Sequence, residues 1–235
     1  MKQQQNNTGE AIGFPVKNWQ KCSRPPQTDM IGRYCRLSPL DIDKHAKPLY
    51  QAYAQDSDAQ NWTYLSYGPF SDIKSFRIWL QNSCTGQDPF FYVVIDNSNG
   101  SIIGLASYLR IVPAVGVIEV GHIHFSPLLQ GTVMSTEAMF LMMQRVFDEL
   151  GYRRYEWKCD SLNEKSNKAA KRLGFTFEGI FRQATLYKGR NRDTAWYSIL
   201  DSEWPKLKQA FILWLDSDNF DSYGVQRKSL GNILT

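Results

Sequence analysis

Residues 117–150 read VIEVGHIHFSPLLQGTVMSTEAMFLMMQRVFDEL. The β-branched and aromatic run from Val117 to Phe125 forms a strand. Ser126-Pro127 breaks it, Gln130-Gly131 turns the chain, and residues 132–150 continue as a long helix closed by Gly151. Met134, Ala138, Leu141, Met142 and Val146 mark one side of that helix. The polar stripe of Glu137, Gln144 and Asp148 is narrow, so the helix buries most of itself against a sheet. A strand that enters a helix through small residues leaves free backbone N–H groups at the helix start, where the helix dipole also favours negative charge. Alone, the turn is either an ordinary strand–helix connection or an anion site suited to a phosphate or pyrophosphate.

The flanking segments place this unit in a sheet. Residues 90–95 (FFYVVI) and 101–111 are strands joined by the hairpin turn DNSNG. Residues 113–116 turn into the strand at Val117, so three strands form an antiparallel meander. After the helix, residues 154–158 (RYEWK) make the next strand, a parallel neighbour of 117–125 in a right-handed β-α-β unit. A short helix over 163–173 follows, then strands over 175–181 and 195–200 with the charged turn KGRNRD between them, and a closing helix over 204–215. Upstream, residues 33–37 make a short strand. Asp41 caps a helix to about Ala54 that Pro48 interrupts, and Ser71 or Asp72 starts a second helix ending near Asn82. The expected architecture is α/β (α+β), with a mixed, mostly antiparallel sheet of about six to seven strands flanked by helices.

Composition narrows the class. The chain has 235 residues, 43% hydrophobic and 14% aromatic, enough for a substantial core in one domain with extensions. Residues 1–28 read as a polar, turn-rich extension that Phe14, Val16 and Trp19 pin to the body. Residues 29–205 form the domain, and 206–235 form a helix and tail packed on it; the sequence leaves open whether that tail makes a homodimer. A net charge of +4 is compatible with an anionic cofactor and too small to argue for nucleic acid. Cys22, Cys35, Cys84 and Cys159 lie far apart with no CxxC pair, so neither a disulfide framework nor a zinc site is indicated. No apolar run approaches the ~20 residues of a membrane span, and MKQQQNNTGE lacks a signal-peptide core. A cytoplasmic protein without a membrane partner is the expectation. A phosphate-binding GxxxxGK[ST] loop and a dinucleotide GxGxxG loop are both missing.

One further segment makes the chain recognisable. NEKSNKAAKRLGF at 163–175, followed by Glu178-Gly179 and then Arg192, Asp193 and Tyr197, resembles the RimJ/RimL-like branch of the GNAT superfamily of acyl-CoA-dependent N-acetyltransferases over about residues 30–205. The loop WTYLSYGPF and the string FRQATLYKGRNRDTAWYSILDSEWP resemble that branch as well. The resemblance implies a GNAT fold with a splayed parallel strand pair, and acetyl-CoA as co-substrate without a metal. It puts the pyrophosphate loop on Gln130, Gly131, Thr132, Val133, Met134 and Ser135, with Thr136 next in the helix. Val133 stands where the family usually has a glycine that permits close approach of phosphate. Ile123 and Phe125 would pair with pantetheine, with the Ile123 amide polarising the thioester carbonyl. Asn163 and Asn167 would contact the cofactor from the other side of the split, and Lys168, Lys171 and Arg172 either add positive charge there or form a solvated helix face.

Transfer to an amine needs a neutral amine, a polarised thioester and a proton for the departing thiolate. Glu119 occupies the strand position where several family members hold a catalytic glutamate, and an apolar strand would raise its pKa. The competing reading is a glutamate facing solvent. His122 and His124 share a face if no bulge intervenes; they are alternative proton acceptors, or structural, and lack a third metal ligand. The tyrosine many family members use as general acid is Ala170 here. Ser166 matches the serine of the RimJ/RimL-like pattern, which implies it as the acid, directly or through water. The competing reading is a helix-start hydrogen-bonding residue, and Tyr187 and Tyr197 are alternatives. The expected reaction is direct acetyl transfer in a ternary complex to a primary amine, on a protein N-terminus or a small molecule. A catalytically weak acyl-CoA-binding domain is the alternative. An RNA-binding role ranks below both, for want of an aromatic stacking platform. The loop aromatics Trp62, Tyr64, Tyr67 and Phe70 either line a ligand cleft or cover a core.

Overall fold

The computed structural model describes residues 4–234; residues 1–3 of the expected extension and residue 235 of the tail lie outside it. Strands β1 (Gln4–Gln5) and β2 (Ala11–Ile12) pair separately. The body runs β3 (Met30–Ile31), β4 (Cys35–Pro39), α1 (Ile42–Tyr53), α2 (Ile73–Ser83), β5 (Phe90–Asp96), β6 (Ile102–Val112) and β7 (Val117–Phe125). It continues through α3 (Val133–Gln144), a π-helical turn (Arg145–Glu149), β8 (Arg154–Asp160), α4 (Glu164–Arg172), β9 (Thr176–Tyr187), β10 (Arg190–Leu200), α5 (Trp204–Leu215) and α6 (Leu230–Leu234). The eight body strands form one sheet in the order β3-β4-β5-β6-β7-β8-β10-β9. Every pairing is antiparallel except β7 with β8.

Local chemistry sets most element ends. Asp41 accepts from the amides of Asp43 and Lys44, and Asp72 from that of Ser75, so both helices start on a carboxylate cap. Pro48 lies inside α1 without interrupting it, because Ala46, Leu49, Ala52 and Tyr53 anchor the helix in the core on both sides of the missing donor. The last hairpin is longer than KGRNRD suggests. Its turn is only Lys188-Gly189, both at positive φ, as a two-residue hairpin loop requires. The charged residues 190–193 belong to β10.

Two apolar clusters sit on opposite faces of the sheet. The larger joins Tyr92, Tyr108, Ile118 and Val120 to α3, α4 and α5; the smaller joins Phe91, Val93 and Leu105 to α1 and α2. Along the N-terminal extension, core side chains satisfy backbone carbonyls: Tyr152 donates to Ser23, Tyr92 to Pro26, and Arg145 to Thr28 and Asp29. Of the three expected anchors, Trp19 donates to the Ala114 carbonyl at 2.8 Å, while Phe14 and Val16 stay exposed. At the other end α5 packs on α3, and Leu230 of α6 is fully buried in the main core.

Candidate active site

The parallel ladder between β7 and β8 stops early. Val117–Val120 pair with Arg154–Trp157, and beyond that β7 pairs only with β6 and β8 only with β10. The two strands therefore part at Val120 and Trp157, and the gap opens a cleft of about 1730 Å3. The β6 partner adds a second irregularity. Ser107 faces Gly121 and Leu105 faces His124, so His122 and Ile123 have no ladder partner on either side. His122 takes φ 49° at this bulge. A bulge inserts one residue and resets which side chains share a face. As a result His122 and His124 both face the α1–α2 side, with Glu119, and Ile123 and Phe125 pack toward the main core. The backbone of Ile123 is left free of the sheet beside the open gap, the position from which an amide could meet a carbonyl oxygen.

The anion end of the cleft is the start of α3. Thr132 caps the helix by accepting from the Ser135 amide, and Gly131 precedes it at φ 73° with open space where a Cβ would be. The first-turn amides of Val133 and Met134 have no carbonyl to reach within the helix. Val133 fits here because its side chain packs on the main core, while its amide stays in the turn. Gln130, exposed at the cleft edge, donates to the Phe125 carbonyl at 2.7 Å. A phosphate or diphosphate fits this donor set.

At the other end, charged groups cross the sheet face. The Glu119 carboxylate is 3% exposed, with Arg110 Nη1 2.6 Å from one oxygen and Lys158 Nζ 2.7 Å from the other. Lys158 also meets Glu156 at 2.8 Å and lies 3.7 Å above the Trp196 ring. Burial pushes the Glu119 carboxyl above the usual range, and Lys158 and Arg110 oppose that push without cancelling it. The solvent-facing alternative for Glu119 is thus ruled out. Ser166 Oγ accepts from Trp157 Nε1 at 2.9 Å, which keeps its hydroxyl hydrogen available to donate. Tyr187 donates to buried Asp160 at 2.8 Å, and Tyr197 is buried and donates to Asn167.

The loop aromatics divide between the two expected roles. Trp62 is buried in the smaller core and Phe70 packs on it, whereas Tyr64 and Tyr67 line the cleft. The loop also bridges the cleft. Its Trp62 and Thr63 carbonyls accept from Lys188 and Arg190 of the last hairpin, and Tyr64 donates to the Leu162 carbonyl. Sequence reasoning missed Arg110, Lys158 and Trp196; only a β-strand pairing register brings the first two to Glu119 and Trp196 to Lys158.

Among the expected site residues, the cleft brings together Glu119, Ser166, Ile123, Phe125, Gln130, Gly131, Thr132, Val133, Ser135, Thr136 and Asn163. Met134 and Asn167 lie outside its lining. The Met134 side chain turns into the main core. The Asn167 side chain is used up locally, donating to Ser161 and Asn163 and accepting from Tyr197 and Cys159. Among the described residues, no three metal-ligating side chains cluster and no helix is long and apolar enough to cross a membrane.

Known proteins share this architecture. The family model described as an acetyltransferase (GNAT) domain matches residues 35–176. The chain belongs to the GNAT acetyltransferase family. It is 47% identical to a GCN5-related N-acetyltransferase from Brucella melitensis of known structure, with a TM-score of 0.91 over 93% of this chain and 99% of that one. A second structure, of a probable GNAT-family acetyltransferase from Chromobacterium violaceum ATCC 12472, is 42% identical with a TM-score of 0.78, covering 83% and 98%. Among curated relatives, the ribosomal-protein-serine acetyltransferase of Escherichia coli (strain K12) is 25% identical over 68% of this chain and 90% of its own length. The fold and the RimJ/RimL-like resemblance therefore hold, and the enzyme class is an acyl-CoA-dependent N-acetyltransferase. The sheet has one strand more than expected, because the two-residue β3 adds an edge.

The two cleft histidines carry a stability prediction. Burial pulls His122 down to about 4 and His124 down to about 3. His124 stacks on Tyr53 at 3.8 Å, edge-on to Trp62, and its Nε2 has no protein partner among the described residues. Both folded-state values lie below the unfolded value of ~6.5, so the unfolded chain binds protons first. Stability is full above pH ~6.5 and falls as pH drops toward the folded values. At pH 5 His124 alone should cost about 2 kcal/mol. Urea titrations at pH 7 and pH 5 read this directly; equal stabilities would contradict the buried, neutral imidazole.

Proposed function

We propose that this chain moves an acetyl group from acetyl-CoA to a primary amine by direct transfer in a ternary complex. The observation that carries the reading is the parting of β7 from β8 one residue beyond Glu119. It puts a buried carboxylate, the unpaired Ile123 backbone, the Ser166 hydroxyl and the start of α3 along a single cleft. GNAT acetyltransferases use acetyl-CoA, and the bound thioester supplies the activated acetyl group. The first-turn amides of α3 hold the diphosphate, with Gln130, Gly131, Thr132, Ser135 and Thr136 around it. Ile123 and Phe125 on one edge and Asn163 on the other border the pantetheine arm. The Ile123 amide donates to the acetyl carbonyl oxygen.

Glu119 acts as the base, taking the proton of the incoming ammonium directly or through water; its raised pKa brings it nearer to the amine's own. Arg110 and Lys158 fix its orientation. Ser166 gives its hydroxyl proton to the departing thiolate and regains one from the proton that the nitrogen loses as the amide forms. The acceptor enters between the 60–67 loop and the β9–β10 hairpin, where Tyr64, Tyr67, Trp196 and Tyr187 line the wall. The name of the Escherichia coli relative, a ribosomal-protein-serine acetyltransferase, points to a protein acceptor, for which we propose an N-terminal amine; a small-molecule amine is the other acceptor.

Initial rates of thiol release test this, with acetyl-CoA and a panel of N-terminal peptides and small amines. Direct transfer predicts intersecting double-reciprocal lines and acetylated acceptor by mass spectrometry. Parallel lines, or acetylated enzyme without acceptor, would rule it out.

A further inference from the structure

We propose that residues 216–226, after α5, form the wall that recognises the nucleotide end of the acyl donor, with Arg172 as its phosphate-facing cation. The proposal rests on the acetyl-CoA reading above. If the thioester lies at Ile123 and the diphosphate at α3, the next surface along the cleft is Arg172, Trp214, Phe220, Gly224, Val225 and Gln226. An adenosine with its phosphate is the chemistry that continues an acyl-CoA in that direction.

Arg172 is built for an anion. Its Nη1 donates to Thr136 Oγ1 at 3.0 Å, its guanidinium stands 5.2 Å above the Trp214 ring, and no carboxylate pairs with it among the described residues. Burial lowers its pKa, the mark of a cation that has lost water without gaining a counter-ion. The wall behind it is held firmly. Trp214 Nε1 donates to Gln226 Oε1 at 2.8 Å, and Phe220 meets the Trp214 ring edge-on at 5.2 Å. Asn219 ties the segment at both ends, donating to the Trp214 and Lys228 carbonyls and accepting from the Lys228 amide.

Tail residues that face the cleft are uncharged; Asp216, Asp218 and Asp221 lie outside its lining, and Asp216 and Asp221 accept from amides of their own turns. Val225 nonetheless leaves 59% of its surface exposed. A base stacked on this wall would cover it. The segment lies beyond residues 35–176, which the family model matches.

The test compares acetyl-CoA with acetyl-4′-phosphopantetheine, which has the same thioester arm and no adenosine. Wild type should favour acetyl-CoA in kcat/KM by at least about tenfold. Arg172→Met and Val225→Glu should each shrink that ratio by about fivefold or more; Val225 is exposed, so its variant reads recognition and not folding. A wild-type ratio near one, or variants that lower both thioesters alike, would overturn the nucleotide wall. If wild type used neither thioester, the acetyl-CoA reading itself would fall, and this proposal with it.

Discussion

Glu119→Gln is expected to lower kcat/KM for acetyl transfer by about 10²–10⁴, the range that a positioned general base contributes. The substitution keeps the shape of the side chain, and Lys158 keeps its ion pair with Glu156, so the fold should survive. The pH profile separates a base from a mere charge anchor. A base works deprotonated, so wild-type kcat/KM should fall as pH drops through an apparent pKa above the ordinary carboxylate value, as its burial dictates. Glu119→Gln should lose that limb. If the variant kept the limb and lost less than tenfold, the proton would go elsewhere, with Asp160 and His122 the next groups in the cleft.

The largest stability effect is expected from Glu137→Ala. This carboxylate, 3% exposed on α3, accepts from the backbone amides of Arg33, Tyr34 and Cys35, each at 2.7 Å. Those amides make the turn from β3 into β4, and Gly32 is required beside them because a Cβ there would lie 2.5 Å from the carboxyl carbon. Removing the acceptor strands three donors at a site that water reaches poorly. The cost should be about 3–5 kcal/mol, a large share of the total stability of an ordinary domain. Chemical denaturation of wild type and variant measures it; a loss under about 1 kcal/mol would mean that water replaces the carboxylate there.

Those two glutamates show what a sequence can carry. β7 and α5 were legible to the residue, because alternation and helical periodicity bury side chains in a pattern that local residues encode. Asp41 was legible as a cap for the same reason, and the second cap was narrowed to Ser71 or Asp72, of which Asp72 is the one observed. Glu137 was not, since in a helix of apolar residues it reads as part of a solvent stripe; its three donors lie about a hundred positions earlier in the chain. The site divides the same way. The α3 loop and Glu119 could be placed from their segment and the family resemblance. The ion pairs from Arg110 and Lys158 could not, because they arise from the register of β7 with β6 and β8. The β-bulge that orients His122 depends on how β6 counts against β7, and nothing in HIH itself announces it. Val133 stands where the family usually has a glycine; its side chain packs against the main core and also borders the cleft, a placement that the turn of α3 decides and the loop's residues alone do not.

Acetyl-CoA titrated by calorimetry into wild type and Ser135→Asp tests the central claim most directly. Ser135 lies in the first turn of α3, on the cleft wall, donating its hydroxyl to the Thr132 carbonyl. An added carboxylate there is itself held by the positive end of the helix dipole, so it neutralises that end and repels a bound diphosphate. The account predicts micromolar binding to wild type and a loss of at least about tenfold, ~1.4 kcal/mol, in the variant. Failure of wild type to bind, or equal affinity in the two proteins, would contradict a diphosphate site at the start of α3.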